Sequence, residues 1–187
     1  MRLIIITGAS RGIGASTAIE FSRKYNLNTE FVLLARDIEK LNETKNKMIS
    51  LNKIQPDLIK LIQFDFSNKN FEINDYKASL TNALVDVDSS IIKPYDELIA
   101  IYNHGTLDYG LIENQNNEIL QGKFQTNFVS IWLLLNAIQS LFPENLIQNQ
   151  FHININSAFS ANPSANWSVQ CCGMILSNNM KYVKTYV

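Results

Sequence analysis

The chain has 187 residues, 46% of them apolar and 18% charged, which favours one compact domain with a substantial core. Its formal net charge of -1 and its dispersed lysines and arginines leave no basic stripe for nucleic acid and no polybasic patch for a membrane surface. The apolar runs Leu3–Ile6 and Ile131–Leu135 are too short for a signal-peptide core or a membrane span.

The predicted elements alternate between strands and helices, the order typical of a parallel sheet covered on both faces. The first strand, Leu3–Thr7, is a continuous apolar and β-branched run, as expected for a strand buried on both faces. Asp37 is placed to cap the second helix, which follows the second strand. The other predicted elements of this half are a helix at Ile13–Tyr25, strands at Phe31–Ala35 and Leu58–Phe64, and a helix at Phe71–Val85.

The second half continues the alternation. Its predicted elements are a strand at Leu98–Tyr102, a helix at Glu118–Phe142, a strand at Phe151–Ile155 and a last helix at Ser168–Lys184. Apolar residues recur at three- and four-residue steps in the long helix, and Pro143 marks its end. We therefore predict one domain, residues 1–187, built as a Rossmann-type doubly wound parallel sheet.

The turn after the first strand carries the strongest functional signal. Its pattern is Gly-x-x-x-Gly-x-Gly between a buried strand and a helix, where glycines let backbone N–H groups approach a pyrophosphate. The helix N-terminus adds partial positive charge. The alternative is a glycine turn without a ligand. The candidate cofactor-binding residues of the turn are Gly8, Ser10, Arg11, Gly12, Ile13 and Gly14.

Residues after the second strand bear on the choice between NAD and NADP. An NAD-preferring protein places a carboxylate there for the ribose 2′-hydroxyl, whereas Arg36 stands at this point of the chain. Arg36 and Arg11 carry guanidinium groups suited to a 2′-phosphate. Asp37 is the competing feature, because a shift of one residue would put a carboxylate at the same place. We favour NADP(H). The alternative is that Arg36 is only a solvated residue at the end of the strand.

Four further segments follow the TGASRGIG turn at the spacing of a known family: Phe64–Phe66, Ile101–Gly105, Thr126–Phe128 and Asn154–Ser157. On these segments the chain resembles the short-chain dehydrogenase/reductase family from its N-terminus to about Gly173. The resemblance implies that Asp65 contacts the adenine of the cofactor. It also implies that the cofactor site includes Phe66, Asn103 and Gly105, the last two kept from an Asn-Asn-Ala-Gly segment.

The same resemblance implies that Asn127 and Ser157 are the catalytic asparagine and serine. From the residues alone, Ser157 could simply end a strand, and Asn127 could hydrogen-bond backbone within its own helix. The matches at Ala35-Arg36, Leu141–Glu144 and Trp167 favour the sepiapterin reductase subgroup. That subgroup implies NADPH-dependent reduction of a small carbonyl or pteridine in tetrahydrobiopterin or pteridine biosynthesis. It also implies a homodimer through the helices near 118–142 and 168–184.

Two positions depart from the family pattern. The family has a tyrosine 13 residues after the serine, which donates a proton to the carbonyl, and a lysine four residues further on. Here these positions hold Gln170 and Met174, and no other tyrosine has a lysine four residues later. A glutamine amide releases no proton at neutral pH, and methionine has no charge. We therefore expect impaired catalysis, with an NADP(H)-binding pseudoenzyme or partner subunit as the alternative function.

The end of the chain also differs from the family, which continues with a sixth strand, a substrate-covering segment and a seventh strand. We expect this sheet to end after about the fifth strand and sixth helix, without the family's C-terminal substrate region. An uncovered sheet edge would result. Partner chains, marginal stability or a damaged gene model are the three explanations left open, and the third implies a non-functional product.

Several single residues have plain structural interpretations beside functional ones. His104 is more readily a packing or loop histidine than a catalytic base, and His152 is predicted to face solvent. The aromatic residues Phe124, Phe128 and Trp132 suit a core or a dimer surface. The adjacent Cys171-Cys172 pair is poor geometry for a disulfide, and no spaced Cys/His cluster indicates a metal site. We expect a reduced, cytoplasmic setting.

Overall fold

The computed structural model describes residues 1–85, 92–106 and 116–156, and the backbone of 183–186. The strands within these ranges are β1 (Arg2–Thr7), β2 (Thr29–Ala35), β3 (Ile59–Gln63), β4 (Glu97–Tyr102), β5 (Asn149–Ile155) and β6 (Val183–Tyr186). The helices are α1 (Gly12–Lys24), α2 (Ile38–Asn52), α3 (Ile73–Leu84), α4 (Asn117–Phe124) and α5 (Ser130–Leu141). A 3₁₀ turn precedes β3 at Pro56–Leu58, and a π-helical segment joins α4 to α5 at Gln125–Val129.

All the strands run parallel, in the order β3-β2-β1-β4-β5-β6. The chain moves outward from β1 through β2 to β3, returns to β4 on the other side of β1, and then moves outward again. This order confirms the predicted Rossmann-type, doubly wound sheet. Its direction reverses between β1 and β4, and a crevice at the carboxyl ends of the strands is expected at that point.

Alternate side chains of the central strands enter two separate cores. Leu3 and Ile5 of β1 belong to the core beneath α3 and α5, whereas Ile4 and Ile6 belong to the core beneath α1 and α2. All seven residues of β2 are buried. The unbroken apolar runs seen in the sequence therefore follow from helices covering both faces of the sheet.

The sheet continues one strand beyond the predicted end. Val183–Tyr186 pairs in parallel with β5, and its first two residues had been predicted as the end of the last helix, Ser168–Lys184. Residues 168–182 of that predicted helix lie outside the described residues. A strand of four residues is too short for its apolar pattern to be separated from the pattern of a helix.

The long helix predicted over Glu118–Phe142 is one continuous helical stretch with a π-helical segment at Gln125–Val129. A π segment inserts an extra residue into a helical turn and commonly marks a functional site. The segment carries Asn127, whose side chain contacts the β4 loop as described below.

The prediction that His152 faces solvent is wrong. Its side chain is buried on the face of β5 that packs against α5, with Nδ1 2.9 Å from the Tyr102 hydroxyl and Nε2 3.0 Å from the Gln139 amide nitrogen. The neighbouring Phe151, on the other face, is 43% exposed. The strand alternates as predicted, but a polar residue occupies the buried face because Tyr102 of β4 and Gln139 of α5 supply hydrogen-bond partners for it.

Candidate functional site

A cleft of about 600 Å³ lies at the carboxyl ends of the strands, where the strand order reverses. Ten of the eleven residues predicted to bind a cofactor line it: Gly8, Ser10, Arg11, Gly12, Ile13, Arg36, Asp65, Phe66, Asn103 and Gly105. The eleventh, Gly14, lies behind the turn, where α1 packs against it. The structure thus gathers these residues from four strand-ending loops into one place.

The glycines of the turn have two distinct roles. Gly8 and Gly12 have φ angles of +63° and +55°, in the left-handed region that residues with a Cβ rarely adopt. Gly14 has no such angle, but a Cβ there would stand 2.5 Å from Asn103 Nδ2 and closer still to the Gly8 carbonyl oxygen. The first two glycines shape the turn, and the third lets α1 approach it.

The N-terminus of α1 opens onto the cleft without a side-chain cap. Arg11 is the N-cap residue, its side chain accepts no hydrogen bond from the helix, and the first turn carries no acidic residue. The first N–H groups of a helix have no partner within the helix and carry partial positive charge. An anion such as a pyrophosphate would supply the missing acceptors.

The rim of the cleft beyond β2 carries opposite charges. Arg11, Arg36 and Lys40 line it together with Asp37. Asp37 caps α2 as predicted, since Lys40 N donates to its Oδ1 at 3.0 Å, and Lys40 Nζ lies 3.1 Å from its Oδ2. The backbone hydrogen bond from Lys40 holds the pKa of the Asp37 carboxyl below its usual range. Both oxygens of this carboxylate therefore already have partners.

The loop after β3 forms the opposite wall. Asp65 Oδ1 accepts hydrogen bonds from the Ser67 backbone N–H at 3.0 Å and from the Ser67 hydroxyl at 2.7 Å. This local turn holds Asp65 at the cleft. Phe66 stacks on the His104 ring, with centroids 3.7 Å apart and planes 12° from parallel. Phe66 is buried in the core beneath α3 and α5, so this stacked pair fixes the position of the loop at the cleft.

His104 is half-buried and both of its ring nitrogens have partners. Nδ1 lies 2.7 Å from Thr7 Oγ1, and Nε2 lies 2.7 Å from Ser130 Oγ. Since the Ser130 hydroxyl donates to the Thr126 carbonyl, Nε2 must donate to Ser130, and Nδ1 must accept from Thr7. Burial lowers the pKa of His104 to about 3. This geometry favours a packing role over that of a catalytic base.

Stability is expected to fall steeply in acid because His104 and His152 are held in their neutral form. Burial lowers the pKa of His104 to about 3 and that of His152 to about 4. Below the ordinary histidine pKa of about 6.5, the unfolded chain then binds more protons than the folded chain. Each histidine should remove about 1.4 kcal/mol of unfolding free energy per pH unit between about pH 6 and its folded pKa.

Urea unfolding at pH 7, 6 and 5 measures this loss. His152→Gln should flatten the profile, because glutamine keeps hydrogen-bonding capacity without titrating. A wild-type slope no steeper than that of the variant would contradict a buried, neutral His152.

Asn127 lies in the π-helical segment and is buried. Its Oδ1 accepts from the Thr106 N–H at 2.8 Å, and its Nδ2 donates to the Thr106 carbonyl at 3.1 Å. The hydrogen bonds therefore go to backbone, but of the β4 loop and not of its own helix. They hold the loop that carries Asn103 and Gly105 against the helical wall of the cleft.

Several cleft residues were not predicted from the sequence. Lys40, Ser67 and Thr106 lie at the rim and the loops, and α4 with the π segment contributes Glu118, Ile119, Gly122, Lys123 and Thr126. Lys123 is buried although it is charged. The three- and four-residue spacing from Ile119 to Thr126 indicates one helix face, but not which face meets the cleft. The predicted residues Ser157, Gln170 and Met174 lie outside the described residues.

The described residues contain neither a cluster of metal ligands nor a helix that could span a membrane. Over residues 1–85, 92–106 and 116–156, no group of three or more histidine, cysteine or acidic side chains is arranged to hold a metal ion. Across the same part of the chain, no helix combines the length and apolar character needed to cross a membrane.

A doubly wound parallel sheet with a glycine-rich turn at its switch point defines a Rossmann-type α/β protein. The particular family follows from the sequence. Residues 2–173 match the model of the short chain dehydrogenase family, and the chain belongs to that family.

One curated relative is the very-long-chain 3-oxoacyl-CoA reductase of Coccidioides immitis (strain RS), 36% identical over 90 residues. The match covers 47% of this chain and 23% of that protein. The family model shows the wider family, and the resemblance to the sepiapterin reductase subgroup has no counterpart in either comparison.

Solved structures share the fold at low identity. A bulky-bulky ketone specific alcohol dehydrogenase from Comamonas testosteroni has a TM-score of 0.73 at 22% identity, over 94% of this chain and 63% of that one. A short chain dehydrogenase from Escherichia coli CFT073 complexed with NADPH has a TM-score of 0.78 at 20% identity, over 98% and 73%. A metagenomic short-chain oxidoreductase in complex with NADP has a TM-score of 0.76 at 22% identity, over 98% and 79%.

Proposed function

We propose that the chain binds NADP(H) in this cleft and acts as an NADP(H)-dependent short-chain dehydrogenase/reductase. The observation that carries the proposal is the cleft itself, where the uncapped start of α1 and the cations Arg11 and Arg36 line one space. A pyrophosphate suits the first feature and a 2′-phosphate suits the second. Two proteins of the same fold, from Escherichia coli and a metagenome, are complexes with NADPH and NADP.

The residues present fit this cofactor. The backbone of the Gly8–Gly14 turn would hold the pyrophosphate, because a Cβ at Gly14 would fill the space between the turn and α1. Asp65 and Phe66 would border the adenine, while Asn103 and Gly105 would line the floor of the cleft. Asn127 supports that floor through Thr106.

The first expected result is saturable NADPH binding, measured by titration with nicotinamide fluorescence as the signal. Binding should weaken as salt increases, because charged side chains at the rim are screened. Failure to saturate with either NADPH or NADH would contradict the proposal. Retained folding, checked by circular dichroism in the same sample, separates that result from a chain that simply unfolds.

When bound, the nicotinamide supplies or accepts hydride at a substrate carbon. In the proposed reaction, Ser157 orients a carbonyl and Asn127 keeps the β4 loop in place through both atoms of its amide. The sepiapterin reductase resemblance favours a small carbonyl or pteridine. Gln170 and Met174, in the tyrosine and lysine positions, provide neither a proton at neutral pH nor a charge. Loss of a positioned general acid costs roughly 10²–10⁴-fold in rate, so turnover should be low.

The second candidate function, an NADP(H)-binding pseudoenzyme or partner subunit, is favoured by these same two residues. Sepiapterin reduction by wild-type protein and by the Gln170→Tyr, Met174→Lys double variant separates the candidates. Appreciable wild-type turnover would exclude the pseudoenzyme. A 3-oxoacyl thioester should be assayed in parallel, since the Coccidioides relative is named for that substrate class.

A homodimer through the α4–α5 surface and a cytoplasmic location complete the proposal. Trp132 on α5 is 46% exposed, and the Phe124 and Phe128 rings contact each other at 5.3 Å on the preceding turns. An exposed aromatic on a helix suits a subunit interface. Sedimentation of wild-type protein and of Trp132→Ser, which should be monomeric, tests the dimer.

A further inference from the structure

We infer that Lys40 is a specificity-determining residue of the cleft, whose ammonium group exchanges the Asp37 carboxylate for the 2′-phosphate of the cofactor. This inference rests on the proposed function. It adds Lys40 to the two arginines that would bind the 2′-phosphate. It also implies that the negative charge of Asp37 weakens 2′-phosphate binding.

The position of Lys40 supports the first part. Its side chain lines the cleft beside Arg11 and Arg36, and it is 48% exposed, so its ammonium group can reorient without leaving a buried partner behind. Its ion pair with Asp37 is exposed as well, and exposed pairs of this kind hold their partners weakly. A phosphate carrying nearly two negative charges attracts the ammonium group more strongly than one carboxylate does.

Asp37 behaves differently from Lys40 because its carboxylate is tied to the backbone. Oδ1 accepts from Lys40 N at 3.0 Å, a bond that persists wherever the lysine ammonium group goes. The carboxylate therefore stays ionised at the rim of the cleft when the cofactor binds. There it repels a 2′-phosphate, and because Oδ1 is held by the backbone of α2 the carboxylate cannot turn freely toward a ribose 2′-hydroxyl.

This arrangement resolves the choice that the sequence left open at Arg36 and Asp37. A carboxylate after β2 is compatible with NADP(H), because its Oδ1 caps α2 and Lys40 lies one helical turn later. Sequence position alone does not distinguish an Asp that caps a helix from an Asp that binds a ribose.

Two variants with opposite expected effects test the inference. Lys40→Met should weaken NADPH binding roughly 3- to 10-fold and leave NADH binding unchanged, since NADH lacks the 2′-phosphate. Asp37→Asn should tighten NADPH binding about 2- to 5-fold and leave NADH unchanged, because asparagine caps a helix as well as aspartate but carries no charge. Both constants come from nicotinamide fluorescence at one fixed salt concentration.

Lys47→Met is the matched control, an exposed lysine of the same helix that does not line the cleft, and both constants should stay at the wild-type value. Equal weakening of NADPH and NADH in Lys40→Met, or no change in either, would overturn the inference and leave the proposed function standing. If wild-type protein binds neither nucleotide, the proposed function fails and the inference falls with it. Weaker NADPH binding in Asp37→Asn would overturn the role assigned to the carboxylate.

Discussion

Replacing Gly14 by alanine is expected to abolish cofactor binding and to destabilise the fold. The new methyl group would stand 2.5 Å from Asn103 Nδ2, and the Gly8 backbone is closer still. Backbone cannot move aside as a flexible side chain can, so α1 would have to withdraw from the turn. We expect a loss of about 2–4 kcal/mol in unfolding free energy and a more than roughly 100-fold weaker NADPH affinity. Urea unfolding and fluorescence titration measure the two effects.

Gly122→Ala is the matched control for stability. Gly122 lies within α4, and a Cβ there would meet nothing within 4 Å. Alanine should therefore raise stability by about 0.5–1 kcal/mol through helix propensity. If Gly14→Ala were as stable as wild type and still bound NADPH, the close approach of α1 to the turn would not be essential.

Thr7→Val is the second substitution with a large expected effect. Thr7 Oγ1, buried at the end of β1, accepts hydrogen bonds from the backbone N–H groups of Asn103 at 2.9 Å and His104 at 3.1 Å. It also donates to His104 Nδ1. Valine has nearly the same shape without the oxygen, so these groups would be left buried and unpaired. We expect a loss of about 2–4 kcal/mol in unfolding free energy.

The loop held by Thr7 forms the floor of the cleft, so NADPH affinity should fall together with stability. Thr7→Ser is the control, because it keeps the hydroxyl and removes one methyl group, at a cost of about 1 kcal/mol. Serine and valine variants of equal stability would show that the hydroxyl does not hold the loop. Differential hydrogen exchange of the amides of Asn103 and His104 would identify the opened segment directly.

Local signals in the sequence were sufficient for the main features of the fold. The strands β1 and β2 are continuous apolar runs, and the glycine spacing of Gly8, Gly12 and Gly14 marks the turn between a strand and a helix. The Asp37 cap was also predictable, because capping depends on a contact three residues away. These features depend on neighbours close in the chain, and pattern arguments describe such neighbours well.

Several features of the cleft depend on contacts that no local pattern contains. His104 lies beside Ser130, and Asn127 beside Thr106, only because the β4 loop and the α4–α5 stretch pack together. The burial of His152 likewise depends on partners supplied by β4 and α5. A polar residue looks exposed in a sequence until its distant partners are known.

The sequence by itself determined the family, the alternation of strands and helices as far as β5, and the glycine turn with Arg11 and Arg36 beside it. Only the tertiary structure decided that Asn127 holds the β4 loop through Thr106 and that His104 is held neutral between Thr7 and Ser130. The physical reason is the distance along the chain over which each effect acts. Propensity, periodicity and turn chemistry act over a few residues, whereas the charge and hydrogen-bond partners of a cleft residue are set by segments far apart in the chain.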